Sequence, residues 1–233
     1  MVLSATYRES RLERQWLAKM LAGSIDGVIL ILGHGQSRHL RDLHKRGIPF
    51  VVVDHCGDLG GDVPSVAATN WLGGRTATDY LLQLGHRRIA YIGGPASYGC
   101  ELGRQAGYRA ALQAAGIPVD TALIRQGAFR VPDGYEHTKA LLHLPDPPSA
   151  IFAANDLQAA GVYQALRENG ITIPSGMSVI GFDDIPLASL MSPPLTTIRQ
   201  PLVQMGHTFL LSRDLQFLRH DLQLYAHNLA EDG

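Results

Sequence analysis

The sequence predicts an α/β fold in which parallel sheets are covered by helices on both faces. Three observations carry this. Helix-like and strand-like segments alternate along nearly the whole chain. The strand-like runs are almost wholly apolar, as strands buried on both faces are. Several of them end abruptly in polar side chains, the pattern of a ligand-binding edge in an open parallel sheet.

The elements follow in chain order. Glu9 to Gly23 reads as a helix, with Leu12, Trp16 and Met20 four apart and Gly23 as its stop. Asp26-Gly27 leads into a strand over Val28 to Leu32. A helix from Ser37 to Arg46 ends at Gly47, and Pro49 opens the strand Phe50 to Val53. Asn70 is placed to cap a helix running to Leu84 and closed by Gly85. Ile89 to Ile92 is a strand, and Gly93-Gly94-Pro95 a turn. A helix from Glu101 to Ala115 stops at Gly116, and a strand spans Ala122 to Arg125. Asp133 to Leu142 is helical, Ala150 to Ala153 a strand, and Leu157 to Asn169 a helix halted by Gly170. Val179 to Phe182 and Thr196 to Ile198 are the last strands, joined by a loop carrying Pro186, Pro193 and Pro194.

Ser65 to Ala68 and Arg199-Gln200-Pro201 resemble crossings between two bodies. Two lobes with a cleft between them is the architecture that uses both. Residues 1–68 with 200–222 are assigned to an N-terminal lobe and residues 69–199 to a C-terminal lobe. After Pro201, Leu211, Leu215, Leu218, Leu222, Tyr225 and Leu229 alternate four and three apart. This a/d seam suggests one amphipathic helix over residues 203–228, although the pattern could also be accidental.

Composition narrows the function. The net charge of −1 gives no bulk attraction to nucleic acid. Seventeen of the 20 basic residues are Arg, which favours forked hydrogen bonding over diffuse charge. The two cysteines, Cys56 and Cys100, form no zinc spacing or disulfide framework, which fits a reducing compartment. No apolar run approaches the ~20 residues of a membrane span, and the N-terminus does not read as a signal peptide. A cytoplasmic location without membrane attachment is expected.

The candidate site residues stand at strand ends. Asn155 and Asp156 follow one strand; either Asn155 only caps the next helix or, equally, Asn155 and Asp156 face a ligand at its N-terminus. Asp183 and Asp184 follow another, and because adjacent residues alternate in direction only one of them faces a given cleft. Arg104 shares a helix face with Tyr108 and Ala111, so it is either an inward charge that needs a partner or a solvated residue of the first turn. Phe129 lies in a polar loop, where an aromatic covers core or stacks on the apolar face of a sugar. Asp54 ends the strand Phe50 to Val53. His34, His39 and His44 recur every five residues and spread around a helix, which argues against a metal site. A nucleophile elbow, an HExxH motif and a GxxxxGK phosphate loop are all missing, so neither an enzyme nor a cofactor is expected.

Five segments taken together resemble the lactose/galactose repressor (LacI/GalR) family of bacterial transcription regulators. They are Leu84-Gly-His-Arg-Arg-Ile-Ala-Tyr-Ile-Gly-Gly94, Arg104-Gln-Ala-Gly-Tyr108, Ala154-Asn-Asp156, Gly181-Phe-Asp-Asp184 and Pro193-Pro-Leu-Thr-Thr-Ile-Arg-Gln200. Each is weak alone; five in order are specific, and the likeness covers roughly residues 9–206. It implies two Rossmann-like lobes of the type 1 periplasmic-binding-protein kind, a hinge crossed three times, and a sugar or related small effector in the cleft. Arg104 matches the family's arginine that bonds sugar hydroxyls. Asn155 and Asp183 match its cleft asparagine and aspartate, Gln200 its polar hinge residue, and Phe129 its stacking aromatic. Asp54 falls at a polar position of the other lobe. The resemblance also implies a homodimer.

Three departures accompany it. No helix-turn-helix or hinge helix is found, so operator DNA is expected to be reached only through an N-terminal head outside these residues. The family's first strand and helix are not found, residues 2–6 resembling its second strand. The leucine seam is this chain's own. The expectation is an effector-binding core of a transcriptional regulator. The alternatives are a stand-alone sugar-binding protein of a transport system, which would carry a signal peptide, and an enzyme on the same scaffold.

Overall fold

In the computed structural model, the described residues are 15, 27–31, 37–53 and 63–205. The expected helix over 9–23, Asp54 and the leucine seam after Met205 lie outside them, apart from Gln15, which is helical. The chain divides into two units, Met1–Ala67 with Leu202–Gly233, and Ala68–Pro201.

The first unit contains a three-stranded parallel sheet, β1 (Val28–Ile31), β2 (Phe50–Val53) and β3 (Ser65–Val66), in that spatial order. Helix α1 (Ser37–Lys45) connects β1 to β2. Leu40 and Leu43 pack with Val28, Phe50 and Val52 to make a small core. The sequence places Ser65 and Val66 in a crossing; here they pair with Val52 and Val53 as the third strand.

The second unit is a five-stranded, all-parallel sheet in the order β5-β4-β6-β7-β8. The strands are β4 (Ile89–Gly93), β5 (Ile124–Gln126), β6 (Ala150–Ala153), β7 (Ser178–Asp183) and β8 (Thr196–Arg199). Helices α2 (Asn70–Gln83), α3 (Gly99–Ala114), α4 (Val131–Leu142) and α5 (Asp156–Glu168) cover it. A short helix α6 (Pro186–Leu190) lies in the proline loop, which the sequence reads as unstructured. Strand β5 starts two residues later than expected. Asp120 accepts a hydrogen bond from the Ala122 amide and turns Thr121–Leu123 into a short 3-10 helix.

Strand alternation sends apolar side chains to opposite faces. Ala90, Ile92, Ile151, Ala153 and Val179 pack with Leu141, Val162 and Leu166 of α4 and α5. Ile89, Tyr91, Phe152, Ile180 and Phe182 pack with Ala77, Leu81, Tyr108 and Leu112 of α2 and α3. The central strands β4, β6 and β7 are largely apolar because neither of their faces meets water, while the edge strands β5 and β8 carry polar residues. Among the described residues no helix is long and apolar enough to cross a membrane.

The strand order has one consequence for function. From β4 the chain passes to β5 on one side, and from β6 it passes to β7 on the other. The helices that follow β4 and β6 therefore diverge, and a crevice opens at the carboxyl ends of these neighbours.

Candidate functional site

Five of the six sequence-predicted site residues lie at the carboxyl edge of this sheet. Arg104 comes from the second turn of α3, and its side chain is almost fully buried. All three guanidinium nitrogens are engaged. Nε donates to Oδ1 of Asn70 at 3.0 Å, Nη1 to the carbonyl of Ala154 at 2.5 Å, and Nη2 pairs with Oδ1 of Asp183 at 3.2 Å. Phe182 lies beneath, with its ring centroid 3.8 Å from Cζ. Arg104 is thus the inward charge with a partner, not the solvated residue.

Close backbone approach puts it there. A Cβ on Gly74 would stand 2.2 Å from the Arg104 carbonyl oxygen, and one on Gly107 2.2 Å from the carbonyl oxygen of Trp71. Only glycine lets α2 and α3 come this near, and their contact brings Asn70 to the guanidinium.

Asp183 ends β7, and Gln200 follows β8. The Gln200 Nε2 donates to Asp183 Oδ1 at 2.5 Å, so Arg104 and Gln200 share one carboxylate oxygen. Asp184 turns the other way and pairs with Arg199. The two acids therefore take different partners. They do so with left-handed backbone, φ 107° at Asp183 and 56° at Asp184.

Asn155 caps the helix that follows it and also holds a neighbouring loop. Its Oδ1 caps α5 by accepting the Gln158 amide at 2.8 Å, while its Nδ2 donates to the Phe129 carbonyl at 3.1 Å. Phe129 is held with φ 61°. Its ring is pressed on Gly94, where a Cβ would come within 2.1 Å, and it meets Tyr98 edge-on at 6.3 Å. The ring covers core on one side and is half-buried.

Three residues behind this layer are corrections or additions to the sequence reading. Asp156 does not face outward with Asn155. It is fully buried, accepting from the Ile185 amide at 2.8 Å and the Thr197 hydroxyl at 2.6 Å, and burial raises its pKa. It clamps the β7–α6 loop to β8 and so fixes Asp183. Asn70 is not the cap of α2; Thr69 holds that position without a side-chain bond, and Asn70 faces Arg104. Glu101, also buried, accepts from the Gly94 amide at 2.6 Å and the Tyr91 hydroxyl at 3.0 Å. Burial holds its carboxyl above the usual range. Its Oε1 has no hydrogen-bond partner. The Gly73-Gly74 pair and the Arg104-x-x-Gly107 spacing are the signals that point to Asn70; nothing in the sequence marks Glu101 as more than a first-turn acid.

The edge therefore presents a fork donor, a carboxylate, two amides and an aromatic ring. The Arg104 charge is balanced by Asp183, and the Arg199 charge by Asp184. Such a set satisfies hydroxyl donors and acceptors and covers C–H surface.

Comparisons with known proteins bear on the fold and the family. A family described as a periplasmic binding protein-like domain matches residues 78–211. The ribose operon repressor of Escherichia coli strain K12 is 38% identical over 200 residues, which is 85% of this chain and 60% of that protein. A regulatory protein of the LacI family from Chloroflexus aggregans has a solved structure that is 32% identical. It superposes with a TM-score of 0.77 over 87% of this chain and 72% of its own. The structure of the transcriptional regulator CelR in complex with cellobiose is 33% identical, with a TM-score of 0.76 over 85% of this chain and 61% of its own. The chain thus spans about 60% of the length of the curated relative named here.

Proposed function

Because this chain belongs to the lactose/galactose repressor family, as its periplasmic-binding-protein-like effector core, we propose that it binds a neutral sugar and forms the sensing part of a transcriptional regulator. One observation carries the proposal. The buried Arg104, paired with the partly exposed Asp183, stands beside Asn155 and Phe129 at the carboxyl edge of a parallel sheet. Arg104, Asp183 and Asn155 supply the hydrogen bonds to hydroxyls, Phe129 the stacking face, and Gln200 a further amide.

The ligand class follows from charge. Arg104 is already compensated, so a phosphorylated sugar would bring an anion to a site with no cation to spare among these residues. A neutral polyol exchanges protein hydrogen bonds for its own at little electrostatic cost. Ribose and cellobiose are the natural first probes, since the relatives' names carry them. In the full regulator, occupancy shifts the conformational equilibrium of a homodimer and with it the affinity of separate heads for operator DNA. The chain performs no catalysis and works in the cytoplasm. Residues 69–199 act as the C-terminal lobe, and residues 1–68 with 200–222 as the N-terminal lobe.

The test is a thermal-shift screen against sugars and nucleosides, with Arg104→Ala and Asp183→Ala as controls. A neutral sugar is expected to raise the melting temperature of the wild type and of neither variant. A ligand that stabilises both variants as much as the wild type sinks the site.

A further inference from the structure

The Arg104–Asp183 pair is flanked by two amides, and both lie where the chain joins or leaves its unit. The unit begins at Ala68 and ends at Pro201. Asn70 is the third residue in, and Gln200 the next to last. Asn70 is anchored to the start of the unit twice: its backbone amide donates to the Ala68 carbonyl at 2.8 Å, and its Nδ2 lies 3.4 Å from the same oxygen. Its Oδ1 then accepts Arg104 Nε at 3.0 Å. At the other end Gln200 Nε2 reaches Asp183 Oδ1 at 2.5 Å. A continuous hydrogen-bonded path therefore runs from Ala68 through Asn70, Arg104 and Asp183 to Gln200.

We propose that Asn70 is a positioning residue for Arg104 and that this path ties the effector site to both ends of the unit at once. The inference rests on the reading of Arg104 and Asp183 as effector contacts. Its chemistry is specific to an amide. A carboxamide oxygen accepts from a cation strongly without adding charge, so Asn70 aims the guanidinium and leaves its ion pair to Asp183. Nε is the nitrogen nearest the chain, and fixing it sets the plane of the fork. The two outer nitrogens are then presented to Ala154, to Asp183 and to a ligand. A sugar hydroxyl that draws either member of the pair must pull on the amides beyond it. The segments so reached are Ala68–Asn70 and Arg199–Gln200, through which the chain passes to and from the other unit. Asn70 has the burial expected of such a part, at 7% exposed.

The experiment uses the full 233-residue chain without any sugar. Nuclear magnetic resonance follows the Arg104 Nε–H group and the backbone amide of Asn70 in the wild type, Asn70→Ala, Asn70→Asp and Asp183→Ala. The Arg104 Nε–H is expected to exchange slowly in the wild type and about tenfold faster in Asn70→Ala, the scale of one lost bond to a charged group. Asn70→Asp keeps the acceptor oxygen and is expected to restore slow exchange. In Asp183→Ala the Asn70 amide is expected to exchange several-fold faster, because Arg104, which Asn70 holds, loses its anion. Unchanged Arg104 exchange in Asn70→Ala, or loss of protection in Asn70→Asp, overturns the positioning role. An Asn70 amide indifferent to Asp183→Ala overturns the path. These outcomes are independent of ligand identity, so they stand apart from the thermal-shift test of the site itself.

Discussion

The two edges of the five-stranded sheet are both polar, yet they are built in opposite ways. At the amino edge, His86 bridges the hydroxyls of Ser149 and Ser178, each at 2.9 Å, and Arg88 pairs with Asp120 and Asp146. These groups lie largely at the surface, and the left-handed residues that lead into that edge are glycines: Gly85, Gly116 and Gly170. At the carboxyl edge the charges are drawn inward around Arg104. The left-handed residues there are Phe129, Asp183 and Asp184. Non-glycine residues in such backbone cost on the order of 1–3 kcal/mol each, and the strain persists only where neighbours enforce it. The amino edge is a set of closed clasps at unstrained backbone. The carboxyl edge holds strained residues in place by buried bonds, the condition of a surface prepared for something else to bind.

Mutation at each edge sharpens the contrast. Asp183→Ala has the largest expected effect, because it leaves Arg104 buried without its anion. Breaking such a pair costs about 3–5 kcal/mol when it is fully buried. The low end applies here, since the Asp183 side chain is 27% exposed. Urea denaturation measures the loss, and calorimetric titration should show sugar binding abolished with it. Gly94→Ala comes next. Its new methyl would meet the Phe129 ring, so the aromatic wall must move, with a loss of about 1–3 kcal/mol and weaker sugar binding.

Glu101→Gln tests the buried layer through pH. The Glu101 carboxyl is raised above its ordinary value of 4.5, chiefly by burial. The folded chain then holds this proton more tightly than the unfolded chain does. Its contribution to stability is greatest below pH 4.5 and declines as pH rises through the raised pKa. Gln keeps the acceptor for Gly94 and Tyr91 but has no charge to bury. Denaturation curves across pH should show Glu101→Gln more stable than the wild type at neutral pH, with the gap closing in acid. The smallest effect belongs to the amino edge. Ser149→Ala removes one hydrogen bond of His86 and should cost about 0.5–1 kcal/mol while leaving sugar affinity unchanged. A loss of affinity there would erase the distinction between the edges.

Much of this was legible in the chain itself. The apolar runs Ile89–Ile92, Ala150–Ala153 and Val179–Phe182 are strands because both sheet faces are covered. Asp183 and Asp184 do take different partners, but it is left-handed backbone, not strand alternation, that divides them. Gly85, Gly116 and Gly170 mark helix ends by their backbone preference alone. What escaped was what depends on contacts between distant elements. Asn70 read as a cap because Asn before a helix usually is one; tight α2–α3 packing at Gly74 and Gly107 turned it to Arg104 instead. Asp156 looked equivalent to Asn155, but burial under β8 and the Thr197 hydroxyl took it inward. Glu101 carried no local signal, since its partners Tyr91 and Gly94 are set by how α3 packs back on β4.

The central claim is that a neutral sugar is held at the carboxyl edge by Arg104, Asn155 and Asp183. A crystal structure of the chain with the sugar that gives the largest thermal shift tests it most directly. The expected result is sugar density within hydrogen-bonding distance of Arg104 and Asp183, with a ring face against Phe129. Density that contacts none of these residues would contradict the account.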